Sequence, residues 1–585
     1  MIRKLVLIAF VLLSAGNILK AQVVYFNGLG RALVTTDNIG GVAMDPDPAA
    51  GLTDTINPRS GTGGYTIFDL GVNAQPNENL RAHALLRIRN EFGGFYGDGS
   101  FLEFRQLRLD GVLGKVFKYE IGDVDLMLTP YTLYNFEEMY NDFEADVFAI
   151  RRSIVHYENF NFGNKWRLQG FNGSAAFQYE KGIERLGFRA FATRTNRTNF
   201  LNVPDRVLAG GRIDVKQSKY LSVGLNATNF FDIVTTVPSD LTNYNNRVFT
   251  GDFASTLDLD AFRFKLFGEG GLSNYSYDLD GVNVTRTDDN YFYDMGLSGE
   301  YKPLQAKVAV SYRNVQPDFL SPGAQTRRIF DGGIGDLDHQ IYPFLGNQEV
   351  YRNPMLFDRI TQEYGLRNLT IQPTLMPFLP QYNNITPYGT ATPNRQGFTA
   401  TVSAGEDDKI LKFNATADLL TEIVGVGSPG TRTFTGLRGG MVLNVNRILG
   451  WEKAIALNGG IRYEDTRREQ NPINFQSTLY DAGLSIEVLT GLDILGGYKL
   501  LVASGNEFVP VYDSFNFISD YDDLSLDLTE DILAFGVRYR FSNNSYFTFQ
   551  GHFAGFTNRV NITGDERFPG NYSINQAFLN YTMVF

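Results

Sequence analysis

The sequence predicts an all-β protein: a single antiparallel transmembrane β-barrel of about 22 strands, within a range of 18 to 24. Three observations carry this. Apolar and aromatic residues alternate with polar ones, at a period of two, from end to end of the chain. Aromatics make up 14% of the 585 residues, with 47 Phe and 31 Tyr against 2 Trp, and there are 60 Gly, yet no apolar run beyond the first segment could form a membrane helix. Finally, short turns alternate with long connections, as in a barrel with tight turns on its periplasmic rim and large loops outside.

At the start, Arg3 and Lys4 precede the apolar run "LVLIAFVLLSAG", and Ala21 meets Gln22 in "LKAQ". A basic head, a short apolar stretch and a small residue at the junction read as a cleaved secretory signal over residues 1–21, leaving 22–585 as the barrel. Without Arg3, Lys4 and Lys20 the chain keeps 49 basic against 64 acidic side chains, a net of −15, which disfavours nucleic acid. There is no cysteine, so an exported chain is stabilised without disulfides and has no thiolate metal site.

Ten hairpins follow from about Tyr65 to Phe556. "FDLGVN" turns through "AQPNEN" into "LRAHALLRIR", and "AAFQYE" through "KGIE" into "GFRAFATR". "AGGRIDV" pairs with "LSVGLNAT", "GLSGEY" with "AKVAVSYR", "LRGGMVLNVN" with "IALNGGIRYE", and "AGLSIEVL" with "LDILGGYKL". Leu533, Phe535, Val537, Tyr539 and Phe541 alternate with Ala534, Gly536, Arg538 and Arg540, and after "SNN" the pattern resumes at Phe547, Phe549 and Phe553. An unpaired strand at each end, Val23 to Thr35 and Gln576 to Phe585, completes an even count with both ends on the short-turn rim. The long links are read as 506–531, 555–575 and, longest, 314–395, a candidate to fold into the pore or cap it. Asp123 and Asp125 fall on the face assigned to lipid, which a bulge or an early strand end would repair. The span Met127 to Lys165 reads as loop or as a further strand pair.

The last residues, "FLNYTMVF", place Tyr581, Met583 and Phe585 on one strand face and end on an aromatic. This resembles the C-terminal assembly signal of Gram-negative outer-membrane proteins, and the resemblance implies docking on the barrel-insertion machinery and residence in outer-membrane lipid. The Phe, Tyr and Asn richness and the "KAQ" junction are similar to exported proteins of Bacteroidota. "FRQLRLDGVLGKVFKYEIG" resembles an early hairpin of phosphate-type porins without carrying a substrate over.

Under the barrel reading the polar partners face the lumen. The candidate pore-lining residues are Arg81, His83, Arg87, Arg89, Arg108, Arg212, Arg263, Lys265, Arg438, Arg462, Arg538 and Arg540. Charged rings in a water-filled lumen tune ion preference, although most such charges simply pair along the wall. The row Arg81, His83, Arg87 and Arg89, on one face of one strand, repels itself unless a loop or a solute answers it. Four histidines in the whole chain (His83, His156, His339 and His552) suggest no catalytic constellation, and "YDLDGVNVTRTDDN" lacks the spacing of a calcium loop. The expected function is a porin-like channel for passive diffusion of small polar solutes, with no cofactor or metal and no enzymatic activity. A structural barrel in an export or surface-assembly complex, with a homo-oligomeric or surface partner, is the second reading, and a barrel enzyme the third.

Overall fold

The structure is a computed structural model, and it describes residues 23–44, 55–56, 59–92, 100–135, 143–159, 166–201, 203–233, 243–279, 282–286, 290–325, 355–361, 371, 375, 379–406, 409–512, 518–562 and 565–585. The segment read as a signal, 1–21, lies outside the described residues.

Twenty-two antiparallel strands close into one barrel. In chain order they begin with β1 (Val23–Met44), β2 (Arg59–Asn77), β3 (Leu80–Glu91), β4 (Ser100–Leu113), β5 (Phe117–Leu126) and β6 (Trp166–Gln178). Then come β7 (Arg185–Asn196), β8 (Asp205–Lys216), β9 (Leu221–Ile233), β10 (Asn243–Asp258), β11 (Phe262–Leu279), β12 (Tyr291–Tyr301) and β13 (Ala306–Val315). The last nine are β14 (Arg395–Ala404), β15 (Leu411–Thr421), β16 (Thr433–Asn444), β17 (Ile455–Arg468), β18 (Ile473–Leu489), β19 (Leu492–Tyr512), β20 (Ile518–Ser542), β21 (Ser545–Ile562) and β22 (Asp565–Val584). Two short pieces, Thr55–Ile56 and Val282–Arg286, extend outer hairpins. Each strand pairs with its neighbours in sequence, and β1 closes the ring on β22 from Leu29↔Val584 to Val42↔Asn571. Among the described residues no helix is long and apolar enough to cross a membrane.

Alternation sorts the two faces. On β20, Leu533, Phe535 and Val537 stand exposed, while Ile532 and Ala534 on the other parity are buried inside. Exposed aromatics gather beside the short turns: Phe117, Tyr179, Tyr220, Phe262, Tyr301, Trp451, Phe541 and Phe585. Tyr291, Tyr293 and Phe398 form a second exposed group farther up the strands. Two aromatic girdles around an apolar band are how a barrel seats in a bilayer.

Several strands are longer than the sequence suggests. The links read at 506–531 and 555–575 are mostly paired strand, since β19 and β20 pair as far as Tyr512↔Ile518 and β21 and β22 as far as Ile562↔Asp565. The end strands likewise reach Met44 and begin at Asp565. A strand needs only about 9–11 residues to cross a bilayer. Beyond that height the outer face no longer has to be apolar, so the lipid pattern fades while hydrogen bonding continues.

Among the described residues of the span Met127 to Lys165, 127–135 and 143–159, there is no strand pair. They contain the 14-residue helix α1 (Asp146–Asn159). The parity problem at Asp123 resolves as an early parting of strands: pairing of β4 with β5 stops at Arg108↔Gly122, and the Asp123 carboxylate accepts the freed Leu107 N–H at 2.6 Å.

Candidate functional site

The barrel interior is occupied by chain that folds back into it. Val147, Phe148, Ile150, Ile154 and Val155 recur at helical spacing on α1 and bury against the inner wall. Their seat is a glycine pair, Gly483 opposite Gly497. A Cβ at Gly497 would come within 2.6 Å of the Phe148 ring and 2.7 Å of Val147, and one at Gly483 within 2.0 Å of the Ala145 Cβ. Beside it a second short helix, α2 (Leu356–Thr361), packs Leu356 and Phe357 into the same cluster. The Leu356 N–H and the Tyr382 hydroxyl both donate to Glu530, at 2.6 and 3.0 Å. His552 lies between the rings of Phe148, Phe357 and Phe578, with centroids 6.0, 6.3 and 5.4 Å away. The far wall is covered by 128–135 and 316–325, where Tyr131 stacks on Phe292 at 4.0 Å and donates to Asp294 at 2.8 Å.

Both ends of α1 are fastened by charge. At its start Glu144 bonds Lys499 at 2.7 Å and Arg152 at 2.7 Å, and Lys499, fully buried, also bonds Asp481 at 2.6 Å. Burial alone would raise the Glu144 carboxyl, but Arg152 and Lys499 outweigh it and hold the group at about 2. Arg538 joins Asp146 at 2.7 Å to Asp493 at 2.8 Å.

At its other end the helix presents bare carbonyls, and arginines from the wall cap them. Arg87 donates to the Glu158 carbonyl at 3.1 Å, and Arg105 to the carbonyls of Tyr157 and Glu158, both at 2.9 Å. Asp69 accepts two bonds from Arg87 at 2.7 Å, one from Arg105 at 3.3 Å and one from the Tyr157 hydroxyl at 2.6 Å. Burial, with Asp69 beside it, pushes the Tyr157 phenol above its ordinary range, which keeps it a donor. The Glu158 carboxylate takes Arg31 at 2.6 Å and the Tyr65 hydroxyl at 2.7 Å, with Arg89 at 3.5 Å. Arg89 also reaches Glu91 at 2.5 Å and lies over the Tyr65 ring at 3.8 Å.

The basic row of β3 is therefore answered unevenly. Arg87 and Arg89 meet α1, whereas Arg81 makes a half-exposed pair with Asp110 at 3.8 Å and His83 bonds Asn73 at 2.8 Å. Arg108 pairs with Asp110 at 2.7 Å, Arg212 with Asp252 at 2.6 and 2.9 Å, and Arg263 with Glu300 at 3.2 Å. Arg462 is buried, donating to the Gln381 carbonyl and the Ser477 hydroxyl. Arg540 pairs with Asp493 at 3.0 Å. Lys265 and Arg438 point inward, since Phe264, Leu266 and Leu437 take the outer face, yet both are exposed and neither makes an ion pair among the described residues. The inward-facing Lys118, Arg189 and Lys307 share that condition. Tyr581, Met583 and Phe585 stand on the outer face, where Phe585 stacks on Phe68 at 5.5 Å.

Arg31, Arg105, Asp69 and Glu158 are missing from the sequence-derived candidates. Arg105 sits at a bulge that breaks its strand's parity, and the signal for α1 is the helical spacing of "VFAIRRSIV".

No family model and no curated protein matches this chain. Among solved structures it is similar to OpdQ of Pseudomonas aeruginosa, with 9% identity, 96% of this chain and 98% of that one covered, and a TM-score of 0.29. It is similar also to the outer membrane protein OprD of the same organism, at 8%, 96% and 94%, with a TM-score of 0.33. A third is Wzi of Escherichia coli, described as a carbohydrate-binding β-barrel involved in capsule assembly, at 12%, 78% and 83%, with a TM-score of 0.35. These are outer-membrane barrels, and likeness at this level carries neither family nor substrate.

Proposed function

We propose that this barrel is an outer-membrane channel for passive movement of small polar solutes with a preference for anions, its bore narrowed by α1 and by the inward parts of 316–394. One observation carries the reading. Lys118, Arg189, Lys265, Lys307 and Arg438 face inward and are exposed, so water reaches the inner wall and meets cations that hold no carboxylate among the described residues. Charges in that position set ion preference in a pore.

Single-channel recording of residues 22–585 in a planar bilayer under a salt gradient tests it. Discrete steps with a reversal potential on the anion side are expected. The double variant Lys265→Glu, Arg438→Glu should move that potential toward cations. A folded, heat-modifiable barrel that never conducts sinks the proposal.

A further inference from the structure

The barrel wall is not paired along its full height. β4 and β5 join over six positions, from Leu113↔Phe117 to Arg108↔Gly122. Beyond that point β5 runs on to Leu126, paired only on its far side with β6, and β4 runs on to Ser100, paired only on its far side with β3. Among the described residues no strand hydrogen bond joins Ser100–Gln106 to Asp123–Leu126. Two local devices part the strands. Gly122 adopts φ +104°, and a Cβ there would lie 2.3 Å from the Leu107 carbonyl oxygen, so only glycine makes this departure. On β4 Arg105 is the extra residue where the register against Leu85 and Leu86 of β3 slips, and the bulge turns it inward to the end of α1.

The split begins six residues above the end of β5 nearest the short turn, roughly 15 Å up for a strand tilted by about 40°. It therefore opens at hydrocarbon depth, on the outer-leaflet side. An unpaired edge there is tolerated only where something covers it. Its outer lip is apolar, with Leu102, Phe104 and Leu107 63%, 54% and 55% exposed, while on the inner parity Phe101, 57% exposed, stands beside the exposed Glu103. Behind the split Val124 and Leu126 turn inward and join Leu168 and Phe191 in a buried cluster. Arg105 and Gln106 are buried, and Asp123 has already taken the Leu107 N–H. The outer side of β4 therefore offers an apolar approach from the bilayer, with the charges of Glu103 and Asp125 set at the inner and far edges of the split.

We propose that this split is a groove for the acyl chain of an outer-membrane lipid or another long-chain amphiphile, which enters between β4 and β5 from the bilayer and lies along Phe104 and Leu107 with its end toward Val124 and Leu126. A free acyl amphiphile and a resident lipid share this chemistry, and the test separates them.

The full chain is reconstituted in vesicles containing either a phospholipid or a free fatty acid with a photoactivatable diazirine in its chain, and adducts are mapped by mass spectrometry. Adducts on Val124 and Leu126 are expected, and whichever probe gives them names the source. Adducts confined to outward residues such as Leu109 and Ile121 overturn the groove. The chain has no cysteine of its own, so Leu107→Cys with Asp123→Cys can form one disulfide, across the mouth of the split. Oxidation should abolish the inner adducts and reduction restore them, with heat-modifiable mobility showing that the barrel stays folded. Inner adducts that survive oxidation mean entry through the open ends, and the groove fails. A barrel that conducts without inner adducts loses the groove and keeps the channel. One that shows inner adducts without conductance does the reverse.

Discussion

Glu158 decides whether the end of α1 stays on the wall. Its carboxylate answers Arg31 and Tyr65 directly, and its backbone carbonyl is held by Arg87 and Arg105. Buried pairs like Arg31–Glu158 add little net stability against an apolar alternative, but removing one partner strands the other charge, at about 3–5 kcal/mol. Glu158→Ala should therefore release the helix end rather than leave Arg31 charged and unpaired beneath it. We expect faster hydrogen exchange across the last turns of α1 and larger single-channel conductance. Unchanged exchange would mean that the carbonyl caps alone hold the helix. The basic row at Arg81–Arg89 was legible in the sequence, because four basic or near-basic groups on one strand face demand an answer. The partner was not. Asp69 comes from the neighbouring strand, but Glu158 lies some seventy positions away in a segment that reads in the sequence as loop or as a further strand pair.

Strand alternation survives translation from sequence to barrel wherever lipid enforces it, which is why ten short turns and about 22 strands are legible in the sequence. It fails at three kinds of element. The outer ends of β19 to β22 leave the bilayer, so nothing keeps their outer face greasy. β4 and β5 part at Gly122, and the carboxylate at Asp123 serves as a backbone cap rather than as a lipid-facing error. α1 buries its apolar face against the inner side of strands, a surface that sequence rules assign to water. The dimple at Gly483 and Gly497 is what lets it approach so closely, and there the helix can be tested as an element. Gly497→Val places branched carbons where Phe148 and Val147 now sit, and overpacking of this kind costs about 1–3 kcal/mol. The barrel, held by its ladder of strands, should keep its heat-modifiable mobility while α1 becomes protease-sensitive. Replacing 137–164 by a short Gly-Ser linker should go further and raise conductance several-fold, as expected for a strut withdrawn from a pore. Equal conductance with and without the segment would show that the bottleneck lies elsewhere, among 316–394.

At the scale of the whole molecule, the interior is divided. Beneath β17 to β22 it is a dry core, with α1, α2 and Tyr382 packed among Leu479, Leu501, Ile532 and Ile574. Near the short-turn rim it is wet, with Lys265, Lys307 and Arg438 exposed. What joins the two regions is the ionic cluster at the start of α1, where Glu144 stands between Lys499 and Arg152. Its carboxyl is held at about 2, below its ordinary value of 4.5, so it binds fewer protons in the folded than in the released state. The stabilisation this gives is whole above about pH 4.5 and is lost as pH falls toward 2. Lys499 is then left buried with Asp481 as its remaining carboxylate. Acid should therefore loosen α1 before it unfolds the strands, which are held by backbone bonds that do not titrate. We expect conductance to be flat from pH 7 to about 5 and to rise or grow noisy below pH 4, reversibly. In Glu144→Gln that acid transition should disappear, because the variant is already loosened at neutral pH. A wild-type trace that stays flat down to pH 2.5 would show that the packing of Phe148 against its glycine seat, and not the charge beside it, holds the helix in the bore.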